Sequence, residues 1–155
     1  MRSFRNLFIA SAITGSLFLA YSCTPGACFD EMTAFMKASL YRDSTDILTA
    51  PDSLSLWGTG RDTSKIYDAM KSLKQASLPL DDSSVKCKFT IIINGVYDTI
   101  TVWYSTYPHL ISKECGYIFY HDLDSVHASN HKIVKLSITK NSITNLSEEN
   151  IRIYY

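Results

Sequence analysis

Five residues between His121 and His131 are of types that bind metals or move protons: His121, Asp122, Asp124, His127 and His131. Imidazole nitrogens and carboxylates are ordinary zinc ligands when they converge within bonds of about 2 Å. Here, six extended residues place His121 and His127 roughly 20 Å apart. Only a tight turn over Leu123 to Ser125 would bring them together. They are therefore expected to be polar loop and strand positions, with no metal. Cys115 beside a histidine is the pairing of a thiol nucleophile, but in an exported chain a disulfide half is the better expectation. Glu148-Glu149 is a lone acidic pair before an apolar run and reads as turn or surface. Gly-x-Ser-x-Gly, His-Glu-x-x-His and phosphate-loop patterns do not occur. The chain is expected to be non-catalytic and without a cofactor.

Export is the expectation set by residues 1–23. Arg2 and Arg5 precede an apolar run from Leu7 to Tyr21 that ends at Ser22-Cys23. A basic start, a short apolar middle and a small residue before the cut are the parts of a secretory signal. Ser11, Thr14, Gly15 and Ser16 dilute the run, which falls short of the roughly 20 apolar residues of a bilayer span. Leu19-Ala20-Tyr21-Ser22-Cys23 resembles a bacterial lipobox, although Ala20 and Tyr21 depart from its usual Leu and small residue. The expectation is a signal peptide over 1–22, lipidation at Cys23, a tether over 23–32 and one domain over 33–155. Each acyl methylene buried in a membrane contributes about 0.8 kcal/mol. The protein would then be a membrane-anchored lipoprotein of the cell envelope, on its periplasmic or surface side.

Removing residues 1–22 from the 155 leaves 133, enough for one domain with a sizeable core. The formal net charge of 0 falls to about −2 once Arg2 and Arg5 are lost. No basic run survives, so nucleic acid is not an expected partner. With Cys23 lipidated, Cys28, Cys87 and Cys115 remain, and one must be odd. Cys87 lies on the apolar side of Val85-Lys86-Cys87-Lys88-Phe89, where a free cysteine acts as a small hydrophobe. Elimination leaves Cys28 with Cys115. Such a bridge closes a loop of nearly the whole domain, worth about 4 to 5 kcal/mol in the chain-entropy model.

The elements that would carry these residues are mostly strands. Val85–Ile93 and Val96–Ser105 flank Asn94-Gly95, a strong hairpin signal because both central residues of the turn need positive φ. A two-residue loop sets Ile93 against Val96, Phe89 against Ile100, Cys87 against Val102 and Val85 against Tyr104. The large aliphatics then share one side, and a one-residue slip would scatter them. Asp98 opposite Ile91 is the exception, expected near a wet edge or in a wider loop. Ser53 to Trp57, Tyr117 to His121, Val134 to Ile138 and Asn150 to Tyr155 alternate as strands. Residues 29–41 fit helix or strand equally. From Ser64 to Ala76, Ile66, Met70 and Leu73 form a helical stripe. Short strands at this spacing predict an all-β fold, a small antiparallel β-sandwich of about seven strands.

The mature chain resembles an uncharacterised family of small lipoproteins from Bacteroidota. The features are Cys23 and Cys28, Asp52-Ser53-Leu54, Ser77-Leu78-Pro79-Leu80, Asp98-Thr99-Ile100-Thr101-Val102, Glu114-Cys115-Gly116 and Glu149-Asn150-Ile151-Arg152-Ile153, in that order. The resemblance implies an all-β domain with no established activity. It also implies a strand at Ile66 to Tyr67 and supports the Cys28–Cys115 pair. It further implies an outer-membrane protein as a partner, and it carries over no catalytic residue.

Two surface features remain. Six of eleven aspartates precede Ser or Thr. This marks Ser44, Ser53, Thr99 and Ser125 as candidate O-glycan acceptors, unless the dipeptides are simply turn chemistry. Tyr97, Thr99, Thr101 and Trp103 point away from the aliphatic side of the hairpin. That row is a candidate binding face for a partner protein or, alternatively, for a glycan, unless another segment covers the rings.

Overall fold

The computed structural model describes Cys28 and residues 31–155. The expected signal peptide at 1–22 and the expected lipid site at Cys23 lie outside the described residues.

Asn94 and Gly95 take φ of 50° and 84°, the pair of left-handed residues that a tight hairpin turn requires. They join β6 (Lys86–Ile93) to β7 (Val96–Ser112). The register is the one read from the alternation, with Cys87 against Val102, Phe89 against Ile100, Ile91 against Asp98 and Ile93 against Val96. The loop is not widened. Asp98 is 2% exposed, so the expectation of a wet edge is wrong. Its carboxylate is buried because the chain itself supplies donors, as described below. Val85 also departs from expectation: its carbonyl accepts from Tyr104 N, but its side chain is exposed beyond the end of β6.

The other strands are β1 (Phe35–Arg42), β2 (Ile47–Leu48), β3 (Leu54–Gly58), β4 (Tyr67–Met70), β5 (Gln75–Pro79), β8 (Gly116–Ala128), β9 (Lys135–Ile138), β10 (Ser142–Ile143) and β11 (Ile151–Tyr154). The described residues are all-β. The eleven strands exceed the seven or so expected because two-residue ladders such as β2 and β10 leave no sequence pattern. One sheet runs β10-β8-β7-β6-β3-β4. In the other, β11 lies between β1 and β9, while β5 and β2 share the opposite edge of β1. The β1–β11 pair is parallel, a departure from a purely antiparallel sandwich.

Residues 64–76 form no helix. Ala69 and Ser72 take φ of 47° and 62°, which breaks the backbone into β4 and a turn leading to β5. The stripe of Ile66, Met70 and Leu73 was too short to enforce a helix. In the ambiguous stretch before Arg42 the residues from Phe35 onward alternate as a strand, with Met36, Ala38 and Leu40 fully buried from β1. They meet Leu78 and Ile153 of their own sheet and Leu56, Ile91, Ile100 and Val102 of the facing one in one core. Each such aliphatic contributes about 1.5–3 kcal/mol on burial. Cys28 and Cys115 form the disulfide, which ties the N-terminal end of the described chain to the β7–β8 turn.

Candidate functional site

The face of the larger sheet turned away from the core carries the row proposed from the hairpin register. Tyr97 is 60% exposed, while Thr99, Thr101 and Trp103 are half-buried. Strand pairing adds neighbours to this row. Thr99 faces Thr90, which faces Trp57 of β3. Thr101 faces His127 and Trp103 faces Ser125 of β8.

The rings are not equally free. Trp57 is 5% exposed because the segment after β3 folds back over it. Its Nε1 donates to Asp62 Oδ1 at 2.7 Å, and Lys65 Nζ sits 5.7 Å from the ring centroid. Trp103 has Lys86 Nζ 5.0 Å from its centroid and His127 edge-on at 5.3 Å. Tyr97 meets Trp57 edge-on at 6.2 Å. Cations held over tryptophan faces are attracted by the ring quadrupole, worth about 0.5–1 kcal/mol at exposed sites. Sequence reasoning missed Trp57, Lys86 and His127 as members of this face. The signal was present: Trp57 has the opposite parity to Leu54 and Leu56, so pairing β3 with β6 assigns it to the outer side.

The histidines and acids of β8 are not brought together. The strand continues through Leu123 to Ser125 with a bulge. His121 faces inward opposite Thr106, and His127 faces outward opposite Thr101. Among the described residues, no three His, Cys, Asp or Glu converge as a metal site would require. His121 Nδ1 lies 2.9 Å from Thr106 Oγ1 and its Nε2 lies 3.6 Å from Asp82. Burial pushes its pKa below the usual imidazole value, against a smaller opposing pull from Asp82.

His131 instead belongs to the crossing from β8 to β9. There Asp98 accepts hydrogen bonds from Ser129 Oγ (2.6 Å) and from the backbone N–H groups of His131 (2.9 Å), Lys132 (2.6 Å) and Ile133 (2.8 Å). Burial alone would raise this carboxyl, but the four donors outweigh it and hold the pKa down to about 2. Successive N–H groups converging on one anion form a backbone nest.

Glu149, of the acidic pair, accepts from Arg152 Nε at 2.6 Å and Tyr41 OH at 3.0 Å. Burial raises its pKa, but these donors and Ser39 outweigh that and leave it below the usual carboxylate range. Glu148 pairs with Lys140. Among the described residues, Cys87 is the free cysteine, with Sγ 3.1 Å from Tyr104 OH. That hydroxyl also donates to Asp81 O at 2.9 Å, and burial pushes the phenol pKa up. Cys87 borders a cleft of about 560 Å³ that Arg61, Lys86 and Lys88 also line. Of the candidate glycan acceptors, Ser44 is exposed in the β1–β2 turn, whereas Ser53, Thr99 and Ser125 are half-buried.

Among curated proteins and among solved structures, none matches the chain. A family model does match, over residues 53–155, from the segment entering β3 to the last residue. The folded unit begins earlier than this match, since β1 pairs with both β5 and β11. The chain belongs to the family of unknown function DUF6452.

Proposed function

We propose that this chain is an exported lipoprotein of the cell envelope, held to a membrane by acyl chains on Cys23, that acts without catalysis by contacting another protein. The outer face of the larger sheet is the contact surface, and an outer-membrane protein is the partner class suggested by the resemblance to Bacteroidota lipoproteins. The observation that carries this reading is the state of the aromatic rings. A sugar-stacking platform needs bare ring faces. Here Lys65 and Lys86 lie over Trp57 and Trp103, leaving Tyr97 as the exposed ring beside a row of threonines. An exposed tyrosine amid small hydroxyls and tethered lysines suits a protein interface, where Tyr anchors are enriched. A glycan is the alternative ligand for the same row.

A photo-crosslinking residue placed at Tyr97 in the full chain, irradiated in native membranes, tests the assignment. A discrete adduct with one protein is the expected result. Adducts only from control positions on the smaller sheet would overturn it. Retention of the protein on a glycan array, lost on Tyr97→Ser, would transfer the face to the glycan reading.

A further inference from the structure

The described chain has a second apolar surface, at the opposite end of β7 from the Asn94-Gly95 turn. Leu110 pairs with Tyr117 and Pro108 with Phe119, so these four side chains share one face of the β7–β8 hairpin. By strand parity this is the continuation of the core-facing side, carried past the end of the core. Leu110, Tyr117 and Phe119 are 46%, 69% and 47% exposed, and Met32 beside them is 39% exposed. Met32, Tyr117 and Phe119 edge a cleft of about 260 Å³ floored by Phe35 and Leu80. Large apolar side chains grouped in this way mark a surface that something covers.

The disulfide bears on what that is. Cys115 stands two residues before Tyr117 and four before Phe119, and it is bonded to Cys28. Cys23 lies five residues before Cys28, a span of at most about 18 Å of extended chain. By contrast, the 17 residues of β7 run for roughly 55 Å. A lipid at Cys23 therefore keeps the bridge within about 18 Å of the bilayer surface, so its apolar neighbours can reach that surface.

We infer that Met32, Leu110, Tyr117 and Phe119 dip into the lipid interface as a second attachment beside the acyl chains. This rests on the lipid anchor of the proposed function and adds the face of the fold that meets the membrane. Tyr117 is of a type that favours the headgroup level, and buried apolar area adds to the affinity that the acyl chains supply. The nearby charges are Glu31, Asp82, Lys113 and Glu114, a net of −2 with no basic patch, so apolar burial rather than attraction to anionic headgroups holds the contact. It should not be strengthened by anionic lipid or weakened by salt.

The test uses the full chain, processed in its own membrane and reconstituted in phosphatidylcholine vesicles with or without acyl-chain bromine as a quencher. Tyr117→Trp adds a reporter at an exposed position, and Leu110→Trp provides a second one. Trp57 and Trp103 serve as the built-in baseline. The expected result is that bromine removes at least about half of the added emission and leaves the baseline unchanged, equally at low and high salt. The mass of the Cys23 peptide is measured on the same sample. An acylated Cys23 with unquenched reporters at both positions overturns the inference and leaves the anchor standing, with a protein then covering the patch. An unmodified Cys23 with quenched reporters overturns the anchor and leaves the contact standing. An unmodified chain that does not float with vesicles overturns both.

Discussion

Asp98→Asn changes one buried charge and almost no volume, so its effect can be worked out from the hydrogen bonds alone. In the folded chain the carboxyl titrates near about 2, against about 3.9 in an unfolded chain. A carboxyl whose folded pKa is depressed adds stability that is fully present above the unfolded value and is lost as pH falls through the folded one. The difference corresponds to about 3 kcal/mol at neutral pH, without discount for solvent because the side chain is 0% exposed. Asparagine keeps only one acceptor oxygen. If that oxygen stays with Lys132 N and Ile133 N, the amide nitrogen can donate to Ser129 Oγ, but His131 N is left facing another donor. An orphaned buried donor costs about 1–3 kcal/mol. The total loss should be about 4–5 kcal/mol, which moves a urea midpoint down by at least about 1 M for a domain of this size. The assay is urea unfolding of the oxidised protein, followed by tryptophan fluorescence, for both forms at pH 7 and at pH 2.5. The gap should be wide at pH 7 and should narrow as the wild-type carboxyl takes up its proton. A gap below about 0.5 kcal/mol at pH 7, or one of equal size at both pH values, would refute the assignment of Asp98 as an ionised clasp.

Asn150→Ala should cost about 2–4 kcal/mol in the same unfolding assay, since it removes acceptors and donors shared with Lys37 N, Lys140 O and Ser142 O at a buried site. Reducing the Cys28–Cys115 bridge, which closes a separation of 87 residues, should lower stability by about 4 kcal/mol by chain entropy; a melting curve indifferent to reductant would contradict this. His121 has a folded pKa below its unfolded value, so protonation favours the unfolded chain, and stability should fall as pH drops below about 6.5. His121→Gln should flatten that slope between pH 7 and 5, measured as the urea midpoint. Gly95→Ala should cost about 1–2 kcal/mol through its positive φ alone, because nothing lies within 4 Å of an added Cβ.

What could be read from sequence divides along a physical line. The β6–β7 register was legible because Asn-Gly forces one turn type and the aliphatics tolerate only one phase. The disulfide followed from counting the thiols of a chain expected to be exported, together with the family resemblance. The choice between helix and strand at 64–76 was not legible, because three apolar residues at helical spacing say little when Ala69 and Ser72 both turn left-handed; the strand that the resemblance implied at Ile66 to Tyr67 begins at Tyr67. The parallel pairing of β1 with β11 joins residues more than a hundred positions apart, such as Ala38 and Ile151, and no local pattern encodes such a partner. On the candidate face, Tyr97 to Trp103 followed from hairpin parity, while Trp57, Lys86 and His127 required the order of strands across the sheet.

A depressed carboxyl pKa beside a histidine would ordinarily mark Asp98 as a catalytic candidate. Its acceptors are already spent on the chain's own donors. All of those donors belong to the passage from β8 in one sheet to β9 in the other, and Ile133, the last of them, is a core residue 1% exposed. Asn150 stands in the same relation to the passage from β9 in one sheet to β10 in the other, bonding Lys140 O and Ser142 O on one side and Lys37 N of β1 on the other. A chain that crosses between sheets leaves its ladder, and its N–H and C=O groups need partners that no strand supplies. A buried Asp meets surplus N–H groups, and a buried Asn, with both a donor and an acceptor, meets a mixture. The two buried polar residues that look most like chemistry are thus placed where the backbone needs them. Among the described residues, surfaces that stay available for contact with something else include the outer face around Tyr97 and the apolar rim beside the disulfide, at opposite ends of β7.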